Sequence, residues 1–370
     1  MSESASFHRV VVKVGASVLA GGSGAPDARR LSTVVAQMAS CVAGGRQAVL
    51  VSSGAIACGM AKLRLRRRPA SIAQLQACAA IGQSDLMWRY SQAFDAHRLT
   101  VAQVLLTQSD VADAARRRNA KHTLQALLER RIVPIINEND AVAVEEIAFG
   151  DDDRLAALVA SAIGADLVVL LSDVDGLLHN GQVIGRIDRL DHTHQAMVAG
   201  SSRQTTTGGM ASKLAAGRIA QHAGIPLVIA NGHKPDALAR ILAGQPEGTL
   251  VAPPSQRLGE KKWWIAFALR APRGRLAIDD GAREALLNRG KSLLASGIRA
   301  VEGRFDAGDP VAIIDSQGVE LGRGVCNFSA RELSRVRGMK TAEIRQLLGA
   351  KAPSEAIHRD NLVLTRELRA

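Results

Sequence analysis

The sequence predicts an α/β fold, a mainly parallel sheet sandwiched by helices, followed by a small, mostly β domain at the C-terminus. Three observations carry that prediction. The first two-thirds alternates short, continuously apolar runs with longer amphipathic ones, the pattern of strands buried on both faces beneath helices. At Ala252-Pro253-Pro254-Ser255 the pattern changes to short strands with frequent glycine turns. And 370 residues exceed the usual size of one hydrophobic core. The boundaries so drawn are a first domain at 1–256, a linker at 257–272, a second domain at 273–352 and a charged tail at 353–370.

Val10–Val14 reads as a buried strand broken only by Lys13 and ended by Gly15. Leu31, Val34, Val35, Met38 and Val42 keep helical spacing, so a helix is expected over Asp27–Cys41, stopped by Gly44-Gly45. Further strands are expected at Ala48–Val51, Val101–Leu106, Ile132–Ile136, Leu167–Leu171 and Leu227–Ala230. Helices are expected at Leu75–Ala93, Lys121–Glu129, Asp153–Ile163 and Met210–Ala223. In the second domain Leu276–Ile278, Gly297–Glu302, Pro310–Asp315 and Glu320–Val325 read as strands.

The composition, 47% hydrophobic and 22% charged, excludes a disordered chain. No apolar run approaches the roughly 18 residues that span a bilayer. The polar Met1–His8 lacks a signal core, so a cytoplasmic location is expected. Cys41, Cys58, Cys78 and Cys326 show no metal or disulfide spacing and read as buried small hydrophobes. The net charge of +12 is denser at the end: residues 258–370 hold 20 Lys and Arg against 14 Asp and Glu. Only 10 of the 47 basic residues are lysines, which makes each lysine informative.

Ligands of such sheets bind at the carboxyl ends of the strands. There the chain places Lys13-Val14-Gly15, Ser52-Ser53-Gly54, Asn137-Glu138-Asn139-Asp140 and Ser172-Asp173, with Asp151-Asp152-Asp153 ahead of a helix. A lysine inside an apolar strand is costly unless an anion sits beside it; the alternative is a strand-end lysine that snorkels to solvent. Gly15, which opens the backbone next to Lys13, favours the anion. Thr207-Gly208-Gly209-Met210-Ala211-Ser212-Lys213 feeds a helix N-terminus, a ready phosphate site although not of P-loop spacing. Taken alone it is equally a loop with an ordinary cap. The acidic run is either a solvated turn or a helix cap, and its mutual repulsion calls for Mg²⁺, a lysine or a substrate ammonium nearby. Two lysines, a glycine-rich helix start and a carboxylate patch together suggest phosphoryl transfer.

As an ordered set, these segments resemble the amino acid kinase family. The matching stretches are VVKVGASVL at Val11–Leu19, VLVSSGAIACG at Val49–Gly59, QACAAIGQS at Gln76–Ser84, VPIINENDAV at Val133–Val142, FGDDDRLAALVA at Phe149–Ala160, LLSDVDGL at Leu170–Leu177 and TGGMASKLAA at Thr207–Ala216. They cover nearly all of residues 8–256. Leu276–Ile298 and Phe305–Ile313 are similar to a PUA domain. That pairing points to the branch acting on the γ-carboxylate of glutamate, and away from those acting on acetylglutamate, aspartate or uridylate.

The resemblance implies ATP as co-substrate with Mg²⁺, L-glutamate as acceptor, and a cytoplasmic homo-oligomer restrained by proline. Lys13 and Lys213 would neutralise phosphate charge, with Asp153 orienting both. Ser53, Asp140 and Asp152 match glutamate-binding positions; Ser172, Asp173 and Thr207 through Lys213 match nucleotide-binding ones. Two departures stand out: Asp152 where the family usually has Asn, and Thr206 where it usually has glycine. Three other readings remain open. One changes the acceptor on the same fold, since fold does not fix substrate. Another takes the chain as an RNA-binding protein with a vestigial kinase domain, which suits the basic C-terminal third but not its few aromatics. In the last, the PUA part is purely an assembly domain.

Overall fold

The computed structural model describes residues 7–21, 26–142, 152–191, 193–194, 197, 209–254, 259–268 and 272–365. The chain divides into two compact units, 1–257 and 258–370.

In the first unit the elements run β1 (Arg9–Val14), α1 (Ala16–Leu19), α2 (Ala28–Ala43), β2 (Gln47–Ser52), α3 (Ala55–Lys62), α4 (Ile72–Asp95), β3 (Val101–Leu106), α5 (Gln108–Ala112), α6 (Ala114–Glu129), β4 (Val133–Glu138), α7 (Asp152–Ile163) and β5 (Leu167–Ser172). The short strands β6 (Leu178–His179), β7 (Gln182–Val183) and β8 (Arg186–Ile187) follow, then α8 (Met210–Ala223), β9 (Leu227–Asn231), α9 (Ala237–Leu242) and β10 (Thr249–Val251). Eight strands form one sheet in the order β3-β4-β2-β1-β5-β9-β10-β8. All neighbours are parallel except β9 and β10. The chain moves outward from β1 through β2 to one side and through β5 to the other. The switch point, where ligands bind in such sheets, therefore lies at the carboxyl ends of β1, β2 and β5.

The central strands are apolar on both faces because helices cover both. Val10, Val12, Val14, Leu50, Val169 and Leu171 pack with Leu31, Val34, Val35 and Met38 of α2 and with Leu86, Tyr90 and Phe94 of α4. Caps explain where helices begin. Asp27 accepts from the N–H groups of Arg29 and Arg30 and starts α2. Asp113 accepts from those of Ala115 and Arg116, so α6 begins at Ala114 rather than at Lys121. Its first turns carry Arg116, Arg117 and Arg118, too polar for an apolar period to reveal. The expected Leu75–Ala93 helix likewise extends to Ile72–Asp95, behind Ser71.

The second unit opens with a turn of helix, α10 (Glu260–Trp263), continued by a π-helical turn at Trp264–Ala268. Then come β11 (Gly274–Ile278), α11 (Asp280–Leu287), β12 (Ile298–Gly303), β13 (Pro310–Ile314), β14 (Glu320–Val325), α12 (Ala330–Val336), α13 (Thr341–Leu348) and β15 (Leu362–Leu364). The five strands form a sheet ordered β12-β11-β13-β14-β15 around its own apolar cluster.

Two expectations change here. The stretch 257–272 is not a plain linker: Trp263, Trp264 and Ile265 are buried, and the two indoles meet edge to face at 4.5 Å. Nor is 353–365 a tail, since Leu362–Leu364 pairs with β14 and Ala356 and Ile357 are fully buried. The charged residues around that three-residue strand hid it. Among the described residues no helix is long and apolar enough to cross a membrane.

Candidate active site

The carboxyl edge of the first unit's sheet gathers the unusual polar residues. Lys13 lies in β1 and is 4% exposed; Lys213 lies in the first turn of α8 and is 6% exposed. Asp153, in the first turn of α7, sits between them, 2.6 Å from Lys13 Nζ and 3.1 Å from Lys213 Nζ. Burial alone would raise the Asp153 carboxyl, and the two ammonium groups outweigh it and hold the pKa below its ordinary value. The carboxylate of Asp153 thus joins two buried lysines from different elements at one point. Two ammonium groups held this close together, at the carboxyl edge of the sheet, suit the phosphates of a nucleotide.

The other end of the crevice has the opposite sign. Ser53, just after β2, donates a hydrogen bond from Oγ to Asp152, beside Asp153 in the same helical turn. Asp140, two residues after β4, is buried, and burial together with repulsion from Asp152 pushes its carboxyl up to about 6, against a smaller opposing pull from Arg68. Two neighbouring carboxylates suit an ammonium group. Cationic at one end and anionic at the other, the site suits a ligand pair of phosphate and amino acid.

Ser172 ends β5 and its hydroxyl donates to Asp173 at 3.1 Å; in β9, its register partner is Asn231. Gly209 caps α8 with no side-chain acceptor among the described residues, and a Cβ there would meet none of them within 4 Å. The backbone at the start of α8 is therefore open to close approach, with Met210, Ala211, Ser212 and Lys213 in its first turns. Thr207, Gly208 and Asp151 lie outside the described residues.

The structure thus brings Lys13, Lys213 and Asp153 into one cluster, Ser53 and Asp152 into direct contact, and Asp140 close enough to Asp152 to feel its charge. Sequence reading passed over two neighbours. Arg68, whose charge reaches Asp140, stands among neighbouring arginines with no spacing that marks a site. Gln83, whose Oε1 accepts from Asn137 Nδ2 at 2.8 Å, was inside a recognised motif but given no role. Its signal was an amide within an otherwise apolar helical face.

The model of the amino acid kinase family matches residues 8–231, and that of the PUA domain matches residues 274–348. A glutamate 5-kinase of Salinispora arenicola is 47% identical over 364 residues, covering 96% of this chain and 98% of that protein. A glutamate 5-kinase of Meiothermus ruber is 47% identical over 368 residues, covering 98% and 97%. One from Citrifermentans bemidjiense is 43% identical, covering 96% and 97%. Among solved structures, a UMP kinase of Bacillus anthracis aligns with 66% of this chain and 95% of its own, at 16% identity and a TM-score of 0.45.

Proposed function

The chain belongs to the amino acid kinase family, and on that premise we propose that it transfers the γ-phosphoryl group of ATP to the γ-carboxylate of L-glutamate, giving L-glutamate 5-phosphate for proline biosynthesis. The observation that carries the reading is the Lys13–Asp153–Lys213 bridge at the switch point of the sheet. The near-complete overlap with relatives named glutamate 5-kinase supports the choice of acceptor.

The glutamate γ-carboxylate is ionised at neutral pH and attacks the γ-phosphorus in line, so no general base is required. Charge moves onto the oxygen bridging the β- and γ-phosphates as the bond breaks, and Lys13 and Lys213 meet it. Asp153 holds the two ammonium groups in fixed directions, which spares reorganisation during transfer. Asp140 and Asp152 take the substrate ammonium, and Ser53 fixes Asp152. Ser172, Asp173 and residues 207–213 hold the nucleotide.

Among the described residues no three His, Cys, Asp or Glu side chains converge as a metal cage. Mg²⁺ bound with the nucleotide would supply neutralisation of phosphate charge beside Lys13 and Lys213. Proline restraint, homo-oligomeric assembly and a cytoplasmic location belong to the same proposal. RNA recognition by ring stacking gains no support from Trp263, Trp264, Phe305 and Phe328, which are all buried.

The test is ATP-dependent acyl phosphate formation, trapped with hydroxylamine over a panel of acids. Glutamate alone should give hydroxamate. Turnover confined to aspartate or acetylglutamate would overturn the acceptor, and no turnover with any acid would overturn the reaction.

A further inference from the structure

Tyr90 is the chain's single tyrosine, and it is fully buried within α4. Its neighbours in the core, Leu86 and Phe94 among them, are apolar. Phenylalanine would fill that space without a hydroxyl to satisfy, and a buried hydroxyl needs a partner. Here the partner is Ser52 Oγ, 2.8 Å away at the end of β2. Ser52 Oγ in turn donates to the carbonyl of Ser53 at 3.0 Å. A serine hydroxyl has one hydrogen, so with that hydrogen on the carbonyl the phenol is the donor to Ser52. Burial raises the Tyr90 pKa against the lowering effect of the Ser52 bond, so the phenol keeps its proton at neutral pH.

The hydrogen bonds therefore run one way, from Tyr90 O–H to Ser52 Oγ and from Ser52 O–H to the Ser53 carbonyl. Ser53 is held at three points: its N–H donates to Val14 O at 3.2 Å, its carbonyl accepts from Ser52, and its hydroxyl donates to Asp152. The peptide that follows is trans and leads into Gly54 at φ +113°, a left-handed value suited to glycine. Turning the Ser53 carbonyl away from Ser52 would change ψ at Ser53 and φ at Gly54, and so the turn between β2 and α3 on which the Ser53 side chain stands.

We propose that Tyr90 is a positioning residue for the amino acid substrate, fixing Ser53 and the Ser53–Asp152 pair from the core side through Ser52. The inference rests on the reading of Ser53 and Asp152 as substrate-binding.

Tyr90→Phe keeps the ring and removes the donor. The expected result is a rise in glutamate KM of about fivefold, the worth of one buried hydrogen bond. Both kcat and the ATP KM should stay within about twofold, because neither lysine is touched. Ser52→Ala should behave alike, and the double variant should be no worse than either single one, as for members of one chain. A second readout keeps both hydroxyls in place. Incorporating 3-fluorotyrosine gives a single fluorine-19 resonance, which saturating L-glutamate should shift and ATP alone should not. An unmoved resonance, an unchanged glutamate KM or additive effects would overturn the proposal. Absence of glutamate turnover in the wild-type protein would instead overturn the functional reading, which the hydroxamate assay reports separately.

Discussion

At Asp153 a single carboxylate is shared by two buried lysines, and the consequence is that neither lysine is replaceable by the other. Lys213→Ala should lower kcat by on the order of a hundredfold or more, with little change in glutamate KM, since its charge matters chiefly in the transition state. Lys13→Ala should do the same and raise the ATP KM as well; steady-state kinetics on both variants decide this, and an unchanged kcat would remove the lysine from the mechanism. Asp140 acts through its proton. With its pKa near 6, kcat/KM for glutamate should fall about tenfold per pH unit below that value, as the carboxylate that meets the ammonium is neutralised. The linkage sign follows. The folded chain binds this proton more tightly than the unfolded chain, whose carboxyl titrates near pH 4, so the group favours folding below about pH 4 and loses that contribution as pH rises through about 6. At neutral pH the ionised carboxylate costs on the order of 3 kcal/mol. Asp140→Asn should therefore raise Tm at pH 8, flatten the acid limb and weaken glutamate together. A variant no more stable than wild type at pH 8 would contradict the burial argument.

At the level of elements, the site depends on how closely α3 and α4 cross. A Cβ on Gly82 would stand 1.8 Å from the carbonyl oxygen of Ala55, and one on Gly59 would stand 1.9 Å from that of Cys78. Ala55 follows Ser53 by two residues, so the crossing fixes the turn that presents Ser53. Gly82→Ala should destabilise by about 3 kcal/mol or more through overpacking and raise the glutamate KM. Gly164→Ala, where a Cβ meets nothing within 4 Å at φ +65°, should cost only about 1 kcal/mol from the left-handed backbone. Chemical denaturation compares the two, and equal losses would mean the α3–α4 contact can relax. The same crossing marks what was legible beforehand. Buried strands such as Val10–Val14 announce themselves because parallel strands beneath two helical layers must be apolar throughout. Lys13 announces itself by violating that rule. Closeness of helices does not announce itself: Gly59 and Gly82 look like any helical glycines until the partner backbone is seen. Nor do two-residue strands such as Gln182–Val183, too short to carry a period. The pairing of Ser53 with Asp152, 99 positions apart, needed either the fold or the family resemblance.

At the level of the molecule, the two units have separate apolar cores, and every residue with a proposed catalytic role lies before position 214. A fragment ending at Pro254 should remain folded and still make hydroxamate from glutamate, with its assembly state or response to proline the property that changes. Complete loss of turnover in a folded fragment would mean that the second unit helps build the site. The more exacting question is where the second unit begins. The family match starts at residue 274, yet Trp263, Trp264 and Ile265 are buried, and this segment packs against β14, β15 and the short turn at Arg359–Asn361. Large apolar side chains withdrawn from water contribute roughly 2–3 kcal/mol each. A fragment of 259–370 should therefore melt in one cooperative transition. A fragment of 273–370, lacking both indoles, should melt well below it and bind a hydrophobic dye, because β14 and β15 lose their cover. Calorimetry on the two fragments separates the cases. Equal melting temperatures would show that the Trp263–Ala268 turn only rests on the sheet, and that the second unit is complete within the matched residues.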